Sequence, residues 1–228
     1  MAQTTLSKYK HNFVDVGDIR QVNLPEGRRY VTPEGKKYPS VTTILGHKTP
    51  PWILAWRKRI GEEEADKIAR RAAVRGTKFH TLTENVLLNK ETDHKEVLGL
   101  LDQKMYESYR PLLNDVDNIQ AIEAKLYSDH LRLAGQVDCI AEYKGKLSVI
   151  DFKTSKKKKT LSGCGNYFVQ TAAYAIMWEE RTGIPVDQTV IIMAVEEDEP
   201  IVHVQKRDDY VPRLLELRDE YEKDVQTV

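Results

Sequence analysis

Residues 135–153 read GQVDCIAEYKGKLSVIDFK, and their pattern decides the fold. VDCIAEY and KLSVIDFK are rich in Val, Ile, Tyr and Phe and flank Lys144-Gly145, which predicts two strands joined by a tight hairpin. With Lys144 and Gly145 as the two loop residues, Tyr143 faces Lys146 and the register places Asp138 directly opposite Asp151. The two carboxylates then share one face with Cβ atoms roughly 5 Å apart, and Lys153, two residues on, joins them. Like charges set opposite each other on a sheet are destabilising unless something compensates. A divalent cation does so. Asp138 and Asp151, with the backbone carbonyl of Phe152 between them, make a hard oxygen site for Mg²⁺ or Mn²⁺, and a lysine beside it can orient an attacking water. Solvated acids on an exposed sheet face are the plain alternative. The run Val149-Ile150 before Asp151 argues against it, since charges inside apolar runs are seldom solvated.

Working outward, four ordered elements accompany this core. RGTKFH ends at His80, the spacing Asp-(x)12-Asp-x-Lys spans Asp138, Asp151 and Lys153, and Gln170-Thr-Ala-Ala-Tyr174 follows on a helical stretch. Together they resemble the PD-(D/E)XK nucleases, in particular the RecB-like exonuclease branch. YPSVTTIL before the first long helix is similar to the mitochondrial genome maintenance exonucleases and related phage exonucleases. That resemblance implies an α/β, restriction-endonuclease-like mixed central sheet flanked by helices, with a helical N-terminal addition. It also implies a metal-dependent DNA exonuclease acting at single-stranded ends in replication, recombination or repair. His80 would then be a metal ligand, and Gln170 and Tyr174 would support the lysine and the DNA backbone. A helicase or single-strand-binding partner, and the cytoplasm of a bacterial or phage-infected cell, follow from the same resemblance.

By residue type alone these assignments stay open. His80 and Glu84 share a helical face and both can turn toward the metal, although an isolated helical histidine is more often an ordinary packing residue. Glu123, on a strand expected over 119–127, is either a further metal-shell carboxylate or an exposed strand glutamate. Gln170 and Tyr174, one turn apart, read by spacing as packing residues. An endonuclease on the same core, or a noncatalytic binding module, would carry much of the same pattern.

The chain has 228 residues, 40% of them hydrophobic, enough for one substantial core and most simply one domain over 1–228. Residues 1–50 are expected to hold a hairpin and a short helix, 51–114 a helical region, and 115–228 the catalytic core. Cys139 and Cys164 are the only cysteines, too few within one chain for a four-cysteine iron–sulfur cluster or a disulfide framework. The N-terminus lacks a signal-peptide pattern, and no apolar run reaches membrane-spanning length. Thirty-five basic residues balance thirty-five acidic ones, so nucleic-acid contact would rest on distribution rather than net charge. Basic clusters at Arg57-Lys58-Arg59, Arg70-Arg71, Arg75 and Lys156 to Lys159 flank the site in sequence order, with acids concentrated at Glu196 to Glu199.

The remaining expectations are structural. Residues 1–24 show a short strand over 12–16 after a mobile start, and the last few residues are expected to fray. RRYVTPEGKKYP reads as a hairpin, and Ser40 caps a short helix that stops at Gly46. Trp52 and Trp56 could stack on unpaired bases but fit a core stripe better. Gly76 interrupts the helix running to about Leu88, either as a break or to allow close approach of another backbone. A polar turn at Asn89-Lys90-Glu91-Thr92 precedes a helix over 95–113 with Leu98, Leu101, Met105, Tyr109 and Leu112 inward. A basic loop, a helix over 167–181, a hairpin over 189–205 and a final helix capped by Asp208 or Asp209, burying Leu214, Leu215, Leu217 and Tyr221, complete the chain.

Overall fold

The structure, a computed structural model, describes residues 8–90 and 92–226. The start, Glu91 of the polar turn, and residues 227–228 lie outside the described residues. Strands Arg20–Leu24 (β1), Gly27–Val31 (β2) and Lys37–Pro39 (β3) form a small antiparallel sheet. Helices Val41–Leu45 (α1), Pro51–Ile60 (α2), Glu62–Leu87 (α3), His94–Val97 (α4) and Leu100–Tyr109 (α5) follow. Val116–Ser128 (β4), Leu133–Tyr143 (β5), Lys146–Ser155 (β6), Gly165–Thr182 (α6), Gln188–Val195 (β7), Ile201–Lys206 (β8) and Val211–Gln226 (α7) build the second half.

The main sheet runs β4-β5-β6-β7-β8, antiparallel throughout except for the parallel pair β6–β7, which α6 bridges. Helices cover both faces. Phe79 and Leu82 of α3 and Tyr106 and Tyr109 of α5 pack with Ile150 and Ile192 on one side. Val169 and Trp178 of α6 and Leu214 of α7 pack with Ile140 and Val149 on the other. Strands buried on both faces read as continuous apolar runs, which is why Thr189 to Val195 contains no charge. This is the mixed α/β architecture expected. Among the described residues no helix is long and apolar enough to cross a membrane.

The β5–β6 hairpin has the expected register, with Tyr143 paired to Lys146 and Cys139 to Ile150. Lys144 (φ 52°) and Gly145 (φ 77°) both take positive φ, as a two-residue turn matched to strand twist requires. Ser40 accepts a hydrogen bond from the Thr43 N–H and caps α1, which ends at Gly46.

Several expectations need correction. Residues 12–16 form no strand: Asn12 and Val14 donate to carbonyls of β4, but only His11 makes a ladder bridge. Strand β1 carries no clear alternation and was not anticipated. Gly76 does not interrupt α3, and a Cβ there would meet only Thr154 Oγ1 at 3.9 Å. The break falls at Gly61 instead, whose φ of 89° suits glycine. The helix expected over 95–113 stops at Leu98, restarts after Gly99 and tightens to a 3₁₀ turn from Arg110, beside Pro111. Leu101, in the first turn after the restart, is 71% exposed although it shares a face of α5 with the buried Met105 and Tyr109; Leu98 is also buried. Trp52 is 70% exposed, and no residue of α2 is buried. Asp208 and Asp209 lie in a 3₁₀ turn, and the carbonyl of Tyr210 receives the first bond of α7. Leu214 and Tyr221 are buried there, but Leu215 is exposed.

Candidate active site

Three adjacent strands each present an acid at one level of the sheet. The pairs Ile122–Cys139 and Ala124–Val137 bracket Glu123 beside Asp138, and the pair Cys139–Ile150 brings Asp151 next in line. At this level a side chain intervenes in the ladder: the Phe152 N–H donates to Asp138 Oδ2 at 2.9 Å. Glu123 takes φ of 51°, a left-handed conformation rare in a strand, and Gln136 Nε2 donates to both its carbonyl (3.1 Å) and its Oε2 (2.8 Å). Helix α3 adds His80, whose Nδ1 lies 3.6 Å from Asp138 Oδ2 and 3.9 Å from Glu123 Oε1. His80, Glu123 and Asp138 thus offer three ligand atoms within 4.8 Å of one another. Burial opposes a charge on His80, but Glu123 and Asp138 outweigh it and raise its pKa above the ordinary histidine value.

Asp151 lies deeper, 1% exposed. Its Oδ1 accepts from Lys153 Nζ at 2.6 Å and from Gln170 Nε2 at 3.3 Å, while its Oδ2 is buried without a partner. Burial pushes its carboxyl up to about 6 despite the Lys153 cation. Burial also works against the charge on Lys153, but the carboxylates of Asp151 and Asp138 prevail and hold its pKa above the usual lysine value. The ring of Tyr167 faces Lys153 Nζ at 5.2 Å, and its hydroxyl accepts from Lys159 Nζ.

Tyr174 explains the glycine that opens the decisive stretch. A Cβ on Gly135 would stand 2.7 Å from Tyr174 Cε1 and 2.9 Å from its hydroxyl, and the ring is buried. Gly135→Ala is expected to lower stability by about 1–3 kcal/mol through overpacking, measured by urea denaturation. Gly135→Ala with Tyr174→Leu should recover part of that loss, whereas a lone Gly135→Ala with wild-type stability would contradict the contact.

The structure therefore gathers His80, Glu123 and Asp138 in one group and Asp151, Lys153 and Gln170 in a second, joined where Phe152 meets Asp138. Asp151 and Glu84 stand outside the three-ligand group; Glu84 lines, with His80 and Glu123, a cleft of about 400 Å³. At Phe152 it is the N–H, rather than the carbonyl, whose partner is seen. Gln136 and Tyr167 were not singled out by the sequence. Gln136 could have been, since it lies two residues before Asp138 on the same strand face. The basic clusters are in part structural: Arg75 pairs with Glu196 at 2.6 Å, Lys158 with Asp198 at 2.8 Å, and Arg57 with Glu62 and Asp66.

The sequence pattern that defines the PD-(D/E)XK nuclease superfamily matches residues 44–227. The chain belongs to that superfamily. Mitochondrial genome maintenance exonuclease 1 from Homo sapiens is 35% identical over 129 residues, covering 53% of this chain and 38% of that protein. Its Xenopus tropicalis counterpart is 30% identical over 225 residues, covering 87% of this chain and 63% of that protein. The chain thus spans between about two fifths and two thirds of the length of these relatives. A solved structure from Eubacterium rectale superimposes with a TM-score of 0.43 at 12% identity, over 65% of this chain and 68% of its own, a likeness too slight to bear on function. Nucleases of this superfamily typically use divalent metals, and the residues here fit one. Two carboxylates and an imidazole converge, and a carboxylate oxygen of Asp151 is buried without a hydrogen-bond partner.

Proposed function

We propose that this nuclease is a Mg²⁺- or Mn²⁺-dependent exonuclease that hydrolyses phosphodiester bonds from single-stranded DNA ends, with residues 1–228 acting as one nuclease domain. The observation that carries this reading is the adjacency of the His80, Glu123 and Asp138 group to the buried Asp151 and the half-buried Lys153. His80, Glu123 and Asp138 would hold the cation, with the free oxygen of Asp151 as a further donor. When bound, a divalent ion supplies acidification of water and charge against the phosphate. Lys153 stays protonated between Asp151 and Asp138, so it serves as a cation and hydrogen-bond donor to phosphate oxygen, not as a proton acceptor. Asp151 and Gln170 fix its position, and Tyr167 backs its ammonium. Support for action at ends comes from the exonuclease relatives, and support for a single strand from Trp52, whose exposed indole on α2 suits stacking on an unpaired base. The bacterial or phage-infected cytoplasm stays an expectation of the sequence, since the relatives reported are vertebrate proteins.

The test is degradation of end-labelled linear single-stranded DNA beside a circular single strand, in Mg²⁺, Mn²⁺ and EDTA. Metal-dependent loss of the linear strand alone is expected. Cutting of the circle would replace the exonuclease with an endonuclease, and binding without cleavage in any metal would favour a noncatalytic module.

A further inference from the structure

A second cleft, of about 200 Å³, is lined by Glu123 but not by His80, and Arg28 and Tyr30 of β2 and Ser40 and Thr42 at the start of α1 contribute to its wall. Glu123 lines both clefts. Asp138, Gln170 and Tyr174 also line the smaller one, while Arg28 and Ser40 come from residues that precede the span matched by the superfamily pattern. Arg28 is the one cation among the lining residues, and it makes no ion pair with any described residue although two carboxylates line the same cleft. Its backbone is fixed: the Ser40 N–H (2.9 Å) and Thr43 Oγ1 (3.1 Å) both donate to its carbonyl. Gly27 before it has φ of 122° and packs so closely on Thr43 that a Cβ would stand 2.7 Å away. Ser40 also bridges to Ala134, immediately before Gly135, which ties this wall to β5. A rigid strand thus holds an exposed guanidinium, hydrogen-bonded to Tyr30 and in no ion pair with a described residue, at a cleft that two carboxylates also line.

A phosphodiester strand suits that guanidinium. Arginine binds phosphate through a planar fork of donors, whereas Ser40 and Gln170, which line the same space, are committed to the α1 cap and to Asp151. We propose that this cleft is the subsite for the phosphate adjoining the scissile one in a single DNA strand, with Arg28 as the positioning residue that holds it; this rests on the nuclease reading of the neighbouring acids. The backbone would enter along the larger cleft beside α3, pass the acids, and be clamped by Arg28 beyond them.

The test compares wild type, Arg28→Ala, Arg28→Lys and Lys153→Ala on a single-stranded oligonucleotide, at several salt concentrations and with single neutral methylphosphonate linkages at successive positions. Arg28→Ala is expected to raise KM about tenfold with kcat within about twofold, because a phosphate contact present before and during reaction contributes uniform binding. Arg28→Lys should recover part of the loss. The slope of log affinity against log salt should fall by about 0.7 in Arg28→Ala, read by fluorescence anisotropy in EDTA. A methylphosphonate beside the scissile linkage should weaken wild-type binding by the same factor and add nothing in Arg28→Ala. Unchanged KM and salt slope in Arg28→Ala, or losses that multiply at every methylphosphonate position, would overturn the subsite. If Lys153→Ala is inactive while Arg28→Ala behaves as wild type, the subsite fails and the nuclease assignment of the acids stands. Full activity in Lys153→Ala would remove that assignment, and the anisotropy slopes would still judge Arg28.

Discussion

Lys153→Ala is expected to lower kcat by about 10²–10³-fold with little change in KM, the usual cost of removing one preorganised donor to a developing oxyanion. The same substitution strips the cation from Asp151, whose Oδ1 it contacts at 2.6 Å in the core. Breaking a buried pair costs about 3–5 kcal/mol when the remaining charge is left alone. Asp151 can avoid that cost by taking up a proton, which gives the loss a pH dependence of known sign. Its pKa in the folded protein, about 6, lies above the ordinary value of 3.8, so between these values the folded state binds more protons than the unfolded state. Its contribution therefore favours folding at low pH and is lost as pH rises through about 6. Removing Lys153 extends that window upward. Melting of metal-free protein at pH 5 and pH 8 should show a larger deficit for Lys153→Ala at pH 8. Lys153→Met combined with Asp151→Asn should recover stability without recovering activity. A deficit that is the same at both pH values would refute the linkage to Asp151.

Asp138→Asn should separate metal binding from folding. Asp138 sits between Glu123 and Asp151 on neighbouring strands and within reach of His80, so its charge is opposed by two acids and useful chiefly to a cation. An asparagine oxygen can still accept from the Phe152 N–H, which keeps the local hydrogen bond. Mn²⁺ affinity, measured by calorimetry, is expected to fall by at least about 100-fold, beyond the range typical of losing a group behind the ligands. Cleavage should fall with it, while the metal-free melting temperature stays near that of wild type, because the repulsion from Glu123 and Asp151 and the attraction to Lys153 and His80 are lost together. Unchanged Mn²⁺ affinity would show that the cation, if bound, sits elsewhere.

Much of the site was legible because strand register is a local property. Once Lys144-Gly145 is taken as a two-residue turn, the pairing from Tyr143–Lys146 to Cys139–Ile150 follows, and Asp138 and Asp151 come next in line, where the Phe152 N–H turns to the Asp138 side chain. The helix after Lys153 was readable from the 3.6-residue period, whereas spacing made Gln170 a packing residue and only the family resemblance set it beside the lysine. The left-handed Glu123 was foreseen only as a possibility, since a strand glutamate gives no local sign that it will turn into the site. The period misled at a helix start: Leu101 shares a face of α5 with Met105 and Tyr109 but lies in its first turn and is exposed. Trp52 and Trp56 fit a core stripe equally well, but amphipathic spacing only says that residues share a face; among the described residues Trp56 is half-buried and Trp52 is 70% exposed.

The sequence by itself determined the hairpin, the opposed acids, the lysine between buried strands and the mixed α/β class, because turn chemistry and side-chain periodicity act over a few residues. Tertiary structure alone decided which groups converge from afar. It brought His80 from α3 to Asp138, left one oxygen of Asp151 without a partner, spent Arg75 on Glu196, and set Arg28 at a cleft that two carboxylates also line. Those outcomes depend on helix packing against the sheet and on the docking of β2 beside β5. Contacts between residues some forty to a hundred and twenty positions apart leave no periodic trace in a single chain.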